Sequence, residues 1–484
     1  MVVAPAMAAN RRCIMIRKCS AWGRWSWVGV GLIVAAGCIP EKRVVWSPDG
    51  SRAAVIAGDG LRIAFPDGRI SAPLRPLAKR VAWFPDGNRL LSIEAVKVGT
   101  WKEVAAVLPE ADQATIAAGA ARLREQVLAF KGNWDTFKPD DGSLTGGQLV
   151  AAFVYLRDRL GDGLAAHVGK KWADFEKLEC VLWHALVVTL DGESATAGKP
   201  LMISLDELRT PTVSAAGRCY AVLRSDGSGE RETLNLVVGA VDSGAAPRVL
   251  ARNVSVEYAW SPDGRSLAFI HAPPAGGDGG TVQLGALATA DVVDAGGALA
   301  IGSMQDRAGV LFNRLLCVRW PSPNRIVFST YEVSLPAATR DMPQTWTLFA
   351  LDPTADLTVQ RLVPRDVSLP VEKDVAMFEI SPDGHRVLVA GAQGRVTLLD
   401  LRSGATAELA PARDQKSGSR TVPVWRNNEE ACVKVMPPDP AATSRIELVR
   451  DEKTRRVMST DWPPAAVDGW LTPEEPSATQ AASR

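Results

Sequence analysis

Histidine is scarce. The 484 residues hold 4 of them, His167, His184, His271 and His385. No two share a spacing such as H-E-x-x-H, which leaves little material for a catalytic metal and indicates no cofactor. Cysteine is thin as well. Of the 7 present, Cys13, Cys19 and Cys38 lie close to the N-terminus, and Cys180, Cys219, Cys317 and Cys432 are widely scattered. That scatter resembles neither a disulfide framework nor a CxxC metal site, and it predicts isolated buried thiols, although an oxidising compartment would permit a bridge. An excess of one charge is also missing. Lys+Arg number 55 against 54 Asp+Glu, a net charge of +1, so no basic footprint points to nucleic acid. No apolar run reaches the roughly 20 residues needed to span a bilayer. No G-x-S-x-G nucleophile elbow occurs. What remains, 46% hydrophobic and 23% charged residues, fits a soluble globular chain.

The N-terminus reads as an address. Arg11, Arg12, Arg17, Lys18 and Arg24 form a basic stretch with no acid before Glu41. An uncharged, mostly apolar run from Trp25 to Gly37 follows and ends in Ala35-Ala36-Gly37-Cys38. A positive region, a short apolar region and small residues before a cut site describe a secretory signal over residues 1–37. A start at Met15 would give a leader of conventional length. Val34-Ala35-Ala36-Gly37-Cys38 resembles the bacterial lipobox, which implies lipidation of Cys38 and attachment to a membrane by lipid. The alternative is an ordinary signal with Cys38 an incidental thiol. Without its leader the chain carries a net charge of −4 (55 − 5 against 54), and nucleic acid becomes a still poorer partner.

The rest of the chain is organised by a repeat. Val44-Val45-Trp46-Ser47-Pro48-Asp49-Gly50 recurs as Val81-Ala82-Trp83-Phe84-Pro85-Asp86-Gly87, as Tyr258-Ala259-Trp260-Ser261-Pro262-Asp263-Gly264, and as Phe378-Glu379-Ile380-Ser381-Pro382-Asp383-Gly384. Weaker copies begin at Ser214, Trp320 and Trp425. Proline presets φ for the second position of a tight turn, and aspartate and glycine suit the third and fourth. Each copy is therefore a hairpin of two short strands, and these turn residues are structural. Further strand-like runs follow, as at 394–401 and 405–410. Four short antiparallel strands per unit are the repeat of a β-propeller. Seven units fit between residues 42 and 460, giving an all-β fold. Trp462 onward, within 461–484, reads as an extended or disordered tail.

The Trp-Ser-Pro-Asp-Gly turn resembles the TolB-like propeller repeat, a relative of WD40-type repeats. The resemblance covers most of the chain after the leader and implies a β-propeller. Similar propellers occur in a periplasmic translocation protein and beside the peptidase domain of prolyl oligopeptidase-like enzymes. The residues after 460 are too few for such a domain.

One region breaks the rhythm. Ile116, Ala120, Leu123, Val127 and Phe130 step by 4, 3, 4 and 3, which is one helical face. Further helical segments are expected over Gln148–Leu160 and Leu164–Cys180, with strand pattern resuming at His184. Residues 100–181 thus form a helical insertion between the second and third strands of the second blade. Strands alternate direction, so the insertion lies on the face opposite the Ser-Pro-Asp-Gly turns and would cap or rim the channel there.

Other candidates carry little chemistry. Asp140-Asp141-Gly142 lacks the ligands that an EF-hand places at Pro139 and Phe137. The Gly276–Gly280 and Asp294–Gly297 stretches read as loops in the fourth blade. The repeated tryptophans are expected to pack between blades. The functional expectation is a non-catalytic, lipid-anchored scaffold of the periplasm or cell envelope, binding a protein or peptide at the face that bears the insertion. The alternative is a hydrolase or lyase acting on peptide or glycan in the channel, favoured by channel-facing acids with His271.

Overall fold

The computed structural model describes residues 41–139, 142–192, 194–226, 233–273, 283–333, 344–355, 359–363, 377–390, 396–410, 423–435, 445–449, 455–459 and 470–471. The leader, Cys38, Asp140, Asp141, Gly276–Gly280 and most of the tail lie outside them. The fold is all-β, a β-propeller of seven antiparallel sheets, each built from consecutive stretches of chain. Blade 1 holds Val44–Trp46, Ala53–Ala57 and Gly60–Ala64. Blade 2 holds Ala78–Trp83, Arg89–Val98, Cys180–Asp191 and Ser194–Ser204. Blade 3 runs through Leu208–Val213, Cys219–Asp226, Thr233–Ala240 and Arg248–Ala251. Blade 4 runs through Val254–Trp260, Ser266–His271, Gln283–Asp294, Leu299–Ile301 and Gln305–Phe312. Blade 5 has Val318–Ser322, Arg325–Val333, Gln344–Leu351 and Val359–Arg361, and blade 6 has Met377–Ile380, Arg386–Ala390, Val396–Asp400 and Thr406–Ala410. Blade 7 has Pro423–Trp425, Ala431–Val435, Arg445–Val449 and Arg455–Ser459.

Two blades depart from four strands. In blade 1 the outer edge is an irregular segment rather than a strand, held by Ser71 N to Ile63 O and Leu74 N to Leu61 O, both 2.8 Å. In blade 4 the long third strand pairs with both Leu299–Ile301 and Gln305–Phe312. Gly296 and Gly297, both at positive φ, turn the chain between the first two of these. Within the tail, Trp470 and Leu471 form a strand that pairs with Glu41 and Lys42.

Burial falls from inside to outside, and the sequence follows it. Ala53–Ala57 is buried at every position, because a middle strand has a blade packed on each face. Such strands read as continuous apolar runs. Outer strands meet water, and Arg248 and Val249 are exposed. The repeat turns close as their chemistry dictates. Gly50 N donates to Ser47 O at 2.8 Å, Ser47 Oγ donates to Asp49 Oδ1 at 2.6 Å, and Gly50 takes φ +66°. The turns at Ser261 and Ser381 repeat the hydroxyl-to-aspartate bond. Ser214 to Gly217 closes the same way without the proline and aspartate.

Named bonds cross all seven seams. Trp83 Nε1 donates to Val45 O at 2.8 Å, linking blades 2 and 1. Arg80 Nη1 reaches Leu208 O of blade 3 at 3.0 Å. Trp260 Nε1 reaches Thr212 Oγ1, from blade 4 to blade 3, at 3.0 Å. Arg319 pairs with Glu257 at 3.2 Å and lies 3.8 Å from Glu379, joining blades 4, 5 and 6. Trp425 Nε1 donates to Glu379 O at 2.7 Å, and Arg426 Nε donates to Gly50 O at 2.9 Å, which brings blade 7 back to blade 1. Apolar clusters lie along the same seams, as where Val44, Trp46 and Val55 meet Val424, Cys432 and Leu448. Cys180, Cys219, Cys317 and Cys432 are free, buried thiols in these packed layers.

The helical insertion grows from the end of blade 2 remote from its Pro85-Asp86-Gly87 turn. There the second and third strands pair to Val98 opposite Cys180. It contains α1 (Trp101–Ala105), α2 (Glu110–Ala129), α3 (Gly146–Arg159), α4 (Leu164–Val168) and α5 (Trp172–Glu176). Ile116, Ala120, Leu123 and Val127 are buried, whereas Phe130 ends α2 as its C-cap. The segment expected as one helix from Leu164 is two, because Gly169 takes φ +64° between them and the third strand already begins at Cys180. The insertion shares one core with blade 2, in which Trp101, Phe153 and Phe175 pack with Leu182 and Leu205. Capping boxes at Thr100 and Thr145 start α1 and α3. Asp206 fastens α3, accepting from Gly147 N at 3.0 Å. Gly147 is required there, since a Cβ would lie 2.1 Å from Leu205 O.

Candidate functional site

The innermost strands enclose a cavity of about 420 Å³ at the centre of the ring. Its wall takes Val45 from blade 1, Val81 from blade 2, Pro211 from blade 3, Val256 from blade 4, Leu315 at the start of blade 5 and Phe378 from blade 6. Strands fix all of these positions except Leu315, which lies in the turn before the first strand of blade 5, so the wall is largely preformed.

Charges are set into this apolar wall in two clusters. In the first, Arg80 Nη2 pairs with Glu207 Oε1 at 2.5 Å, and Arg209 Nε donates to Glu207 Oε2 at 2.9 Å. Arg80 also lies over the Trp183 ring, 5.2 Å from its centroid. Burial would raise the Glu207 carboxyl, but Arg80 and Arg209 outweigh it and hold the group below its ordinary value. In the second cluster, Lys42 pairs with Glu379, and Arg319 lies between Glu257 and Glu379. Burial works against the Arg319 charge, yet the two glutamates overcome it and raise that pKa above the ordinary arginine value. Burial, opposed by Glu207, lowers the Arg80 pKa from the ordinary arginine value. Breaking one partner of such a pair would leave an uncompensated buried charge.

Thr210 marks the wall with backbone strain. It takes φ +44°, a region costly for a β-branched residue and further disfavoured before Pro211. The strain is held by the Tyr258 hydroxyl, which donates to Thr210 O. Strain of this kind, worth about 1–3 kcal/mol, clusters at ligand sites.

The residues singled out in the sequence fall elsewhere. Of the repeat-turn residues, Pro48 lines the cavity, while the turns as a set form the opposite rim from the insertion. The insertion contributes no side chain to the cavity wall among the described residues. The histidines are dispersed. His167 Nε2 is 2.9 Å from Val127 O inside the insertion, His271 Nε2 is 3.0 Å from Asp306 Oδ1 at the side of blade 4, and His385 is on the turn rim. The cavity charges escaped the sequence reading. Their signal was an ionisable residue inside a core-like innermost strand, as Arg80 and Glu257 three positions before Trp83 and Trp260.

No family model and no curated protein matches the chain. Solved propellers do resemble it. The β-propeller domain of the Trilobed protease from Pyrococcus furiosus is 9% identical, covering 88% of this chain and 98% of that one, with a TM-score of 0.43. A putative TolB from Agrobacterium tumefaciens is 12% identical over 54% of this chain and 83% of that one, with a TM-score of 0.34. Oligogalacturonate lyase from Vibrio parahaemolyticus is 11% identical over 76% and 75%, with a TM-score of 0.38. These are likenesses of overall form, and no function is read from them.

Proposed function

We propose that this chain is a non-catalytic binding scaffold of the cell envelope, anchored by lipid at Cys38, that receives a protein or peptide segment in its central cavity. The observation that carries this reading is the cavity itself. It is largely preformed and largely apolar, and its acidic and basic side chains already pair with one another. Such a wall offers recognition by shape and by paired polar groups. The helical insertion, fastened to blade 2 and to Asp206, supplies a second rigid surface on the face where that segment would enter. A hydrolase or lyase acting on peptide or glycan is the alternative. His271 with Asp306 is the acid–base pair that would favour it, and that pair does not line the cavity.

The test is crosslinking capture from native envelope membranes, comparing the full protein with Leu315→Trp, which fills the cavity from a half-buried position. A crosslinked partner lost in Leu315→Trp supports the scaffold. A partner captured equally by both proteins overturns the cavity as its site. For the anchor, Cys38→Ser releases the protein from membranes; retention in the membrane fraction overturns lipidation.

A further inference from the structure

Arg325 differs from the arginines of the cavity. It opens the second strand of blade 5, opposite Ser322, on the turn-bearing rim. Among the described residues no carboxylate pairs with it, and its Nε is buried without a hydrogen-bond partner. The neighbouring blade closes onto this point. Gly384 packs against Pro321 so tightly that a Cβ would lie 2.4 Å from Pro321 Cγ. His385 follows directly, and its Nδ1 is also buried with no partner. His385 O accepts from Leu401 N at 2.8 Å, which brings Arg402 alongside.

The nearby acids are engaged in their own turns. Asp383 Oδ1 accepts from Ser381 Oγ at 2.5 Å and from His385 N at 3.0 Å. Asp400 Oδ1 accepts from Arg402 N and Ser403 N at 3.0 and 2.9 Å. Arg386 reaches across the next seam to Asn428 O at 3.2 Å. The electrostatics agree with this count. Burial lowers the Arg325 pKa, and Arg402 lowers it further. Burial, then Arg402 and Arg325, push the His385 imidazole down, against the opposing pull of Asp383 and Asp400.

We propose that Arg325, His385 and Arg402 form a binding site for a small oxyanion, a phosphate or a ligand carboxylate, between blades 5 and 6 on the turn-bearing rim. Guanidinium groups match such anions in geometry as well as charge. The anion would satisfy the orphaned Arg325 Nε and relieve the repulsion between the two arginines. It would also favour the protonated imidazole, so the site binds more tightly as pH falls through the His385 titration. This site is separate from the central cavity and does not depend on the scaffold reading.

The experiment is proton NMR titration of the histidines in the full protein, at constant ionic strength, with inorganic phosphate, acetate and chloride in turn. His385→Gln assigns the resonance among the 4 histidines. Phosphate or acetate, but not chloride, is expected to raise the His385 pKa by about one unit, equivalent to roughly tenfold tighter binding to the protonated form. Which of the two oxyanions acts distinguishes a phosphate ligand from a carboxylate. In Arg402→Gln the His385 pKa rises without any anion, and the response to anion shrinks. Arg325→Gln repeats this from the other blade. Arg402 is exposed in a turn, so its variant carries the test if Arg325→Gln does not fold. A His385 titration insensitive to both oxyanions overturns the proposal, and so does an undiminished response in Arg402→Gln.

Discussion

The indole of Trp83 donates its Nε1 hydrogen across a blade boundary to the carbonyl of Val45, 2.8 Å away. Trp425 makes the corresponding bond to Glu379 O at 2.7 Å. The aromatic residue before the turn thus fills a seam and also satisfies backbone of the blade before it. Trp83→Phe removes the bond and keeps most of the apolar contact, so it costs about 1 kcal/mol. Trp83→Ala opens a cavity and costs about 3–5 kcal/mol. Denaturant unfolding measures both, and equal losses would show that the bond contributes nothing separate from packing.

Two turn glycines separate strain from contact. Gly87 and Gly384 take φ +68° and +69°, but a Cβ on Gly87 meets nothing within 4 Å, while one on Gly384 strikes Pro321. Gly87→Ala loses only the left-handed preference, about 1–2 kcal/mol. Gly384→Ala adds overpacking of about 1–3 kcal/mol. Comparing the two unfolding midpoints gives the tightness of the seam between blades 5 and 6.

Asp206 makes the docking of the insertion depend on pH. Burial pushes its carboxyl up to about 6, against the bonds from Thr145 and Gly147 N that lower it. A raised folded-state pKa means that the docked form favours the proton. That contribution is full below the ordinary carboxylate value of 3.8 and is lost as pH rises through about 6. Hydrogen exchange over 146–159 should therefore be faster at pH 8 than at pH 5, after correction for intrinsic rates. Asp206→Asn removes this dependence and stabilises the neutral-pH protein by up to about 3 kcal/mol. An unchanged pH profile in Asp206→Asn would place the effect elsewhere.

Thr210→Gly releases the strained backbone at the cavity wall. Relief of strain exceeds the added chain entropy, so thermal and denaturant stability rise by about 1 kcal/mol or less. If the strain shapes the binding wall, the same variant crosslinks its partner less well. A variant no more stable than the parent would show that Thr210 takes this conformation without cost.

The legible parts of this chain were those governed by local chemistry. Ser47-Pro48-Asp49-Gly50 and its copies announce turns because each residue suits its own position. The helical face of Ile116, Ala120, Leu123 and Val127 announces its period within one helix. The illegible parts depend on residues brought together by closure of the ring. Arg80 stands in blade 2 and Glu207 in the link to blade 3, while Arg319, Glu257 and Glu379 stand in three different blades, and each alone reads as a stray charge. Gly169 broke an expected helix because a positive φ there costs glycine little. That Arg325 has no carboxylate partner among the described residues likewise becomes visible only when Gly384 is placed against Pro321.

Among the described residues each blade is a continuous stretch of chain, and no strand of the ring is shared between the first blade and the last. Blade 7 meets blade 1 through side-chain packing and the Arg426-to-Gly50 bond, supplemented by the short pairing of Glu41–Lys42 with Trp470–Leu471. Tension applied at residues 41 and 471 therefore loads this boundary first. The short ribbon peels, the ring opens into an arc, and the hairpins of individual blades bear force only afterwards. Mechanically the molecule is a clasp rather than a hoop, with its fastening between the first blade and the last.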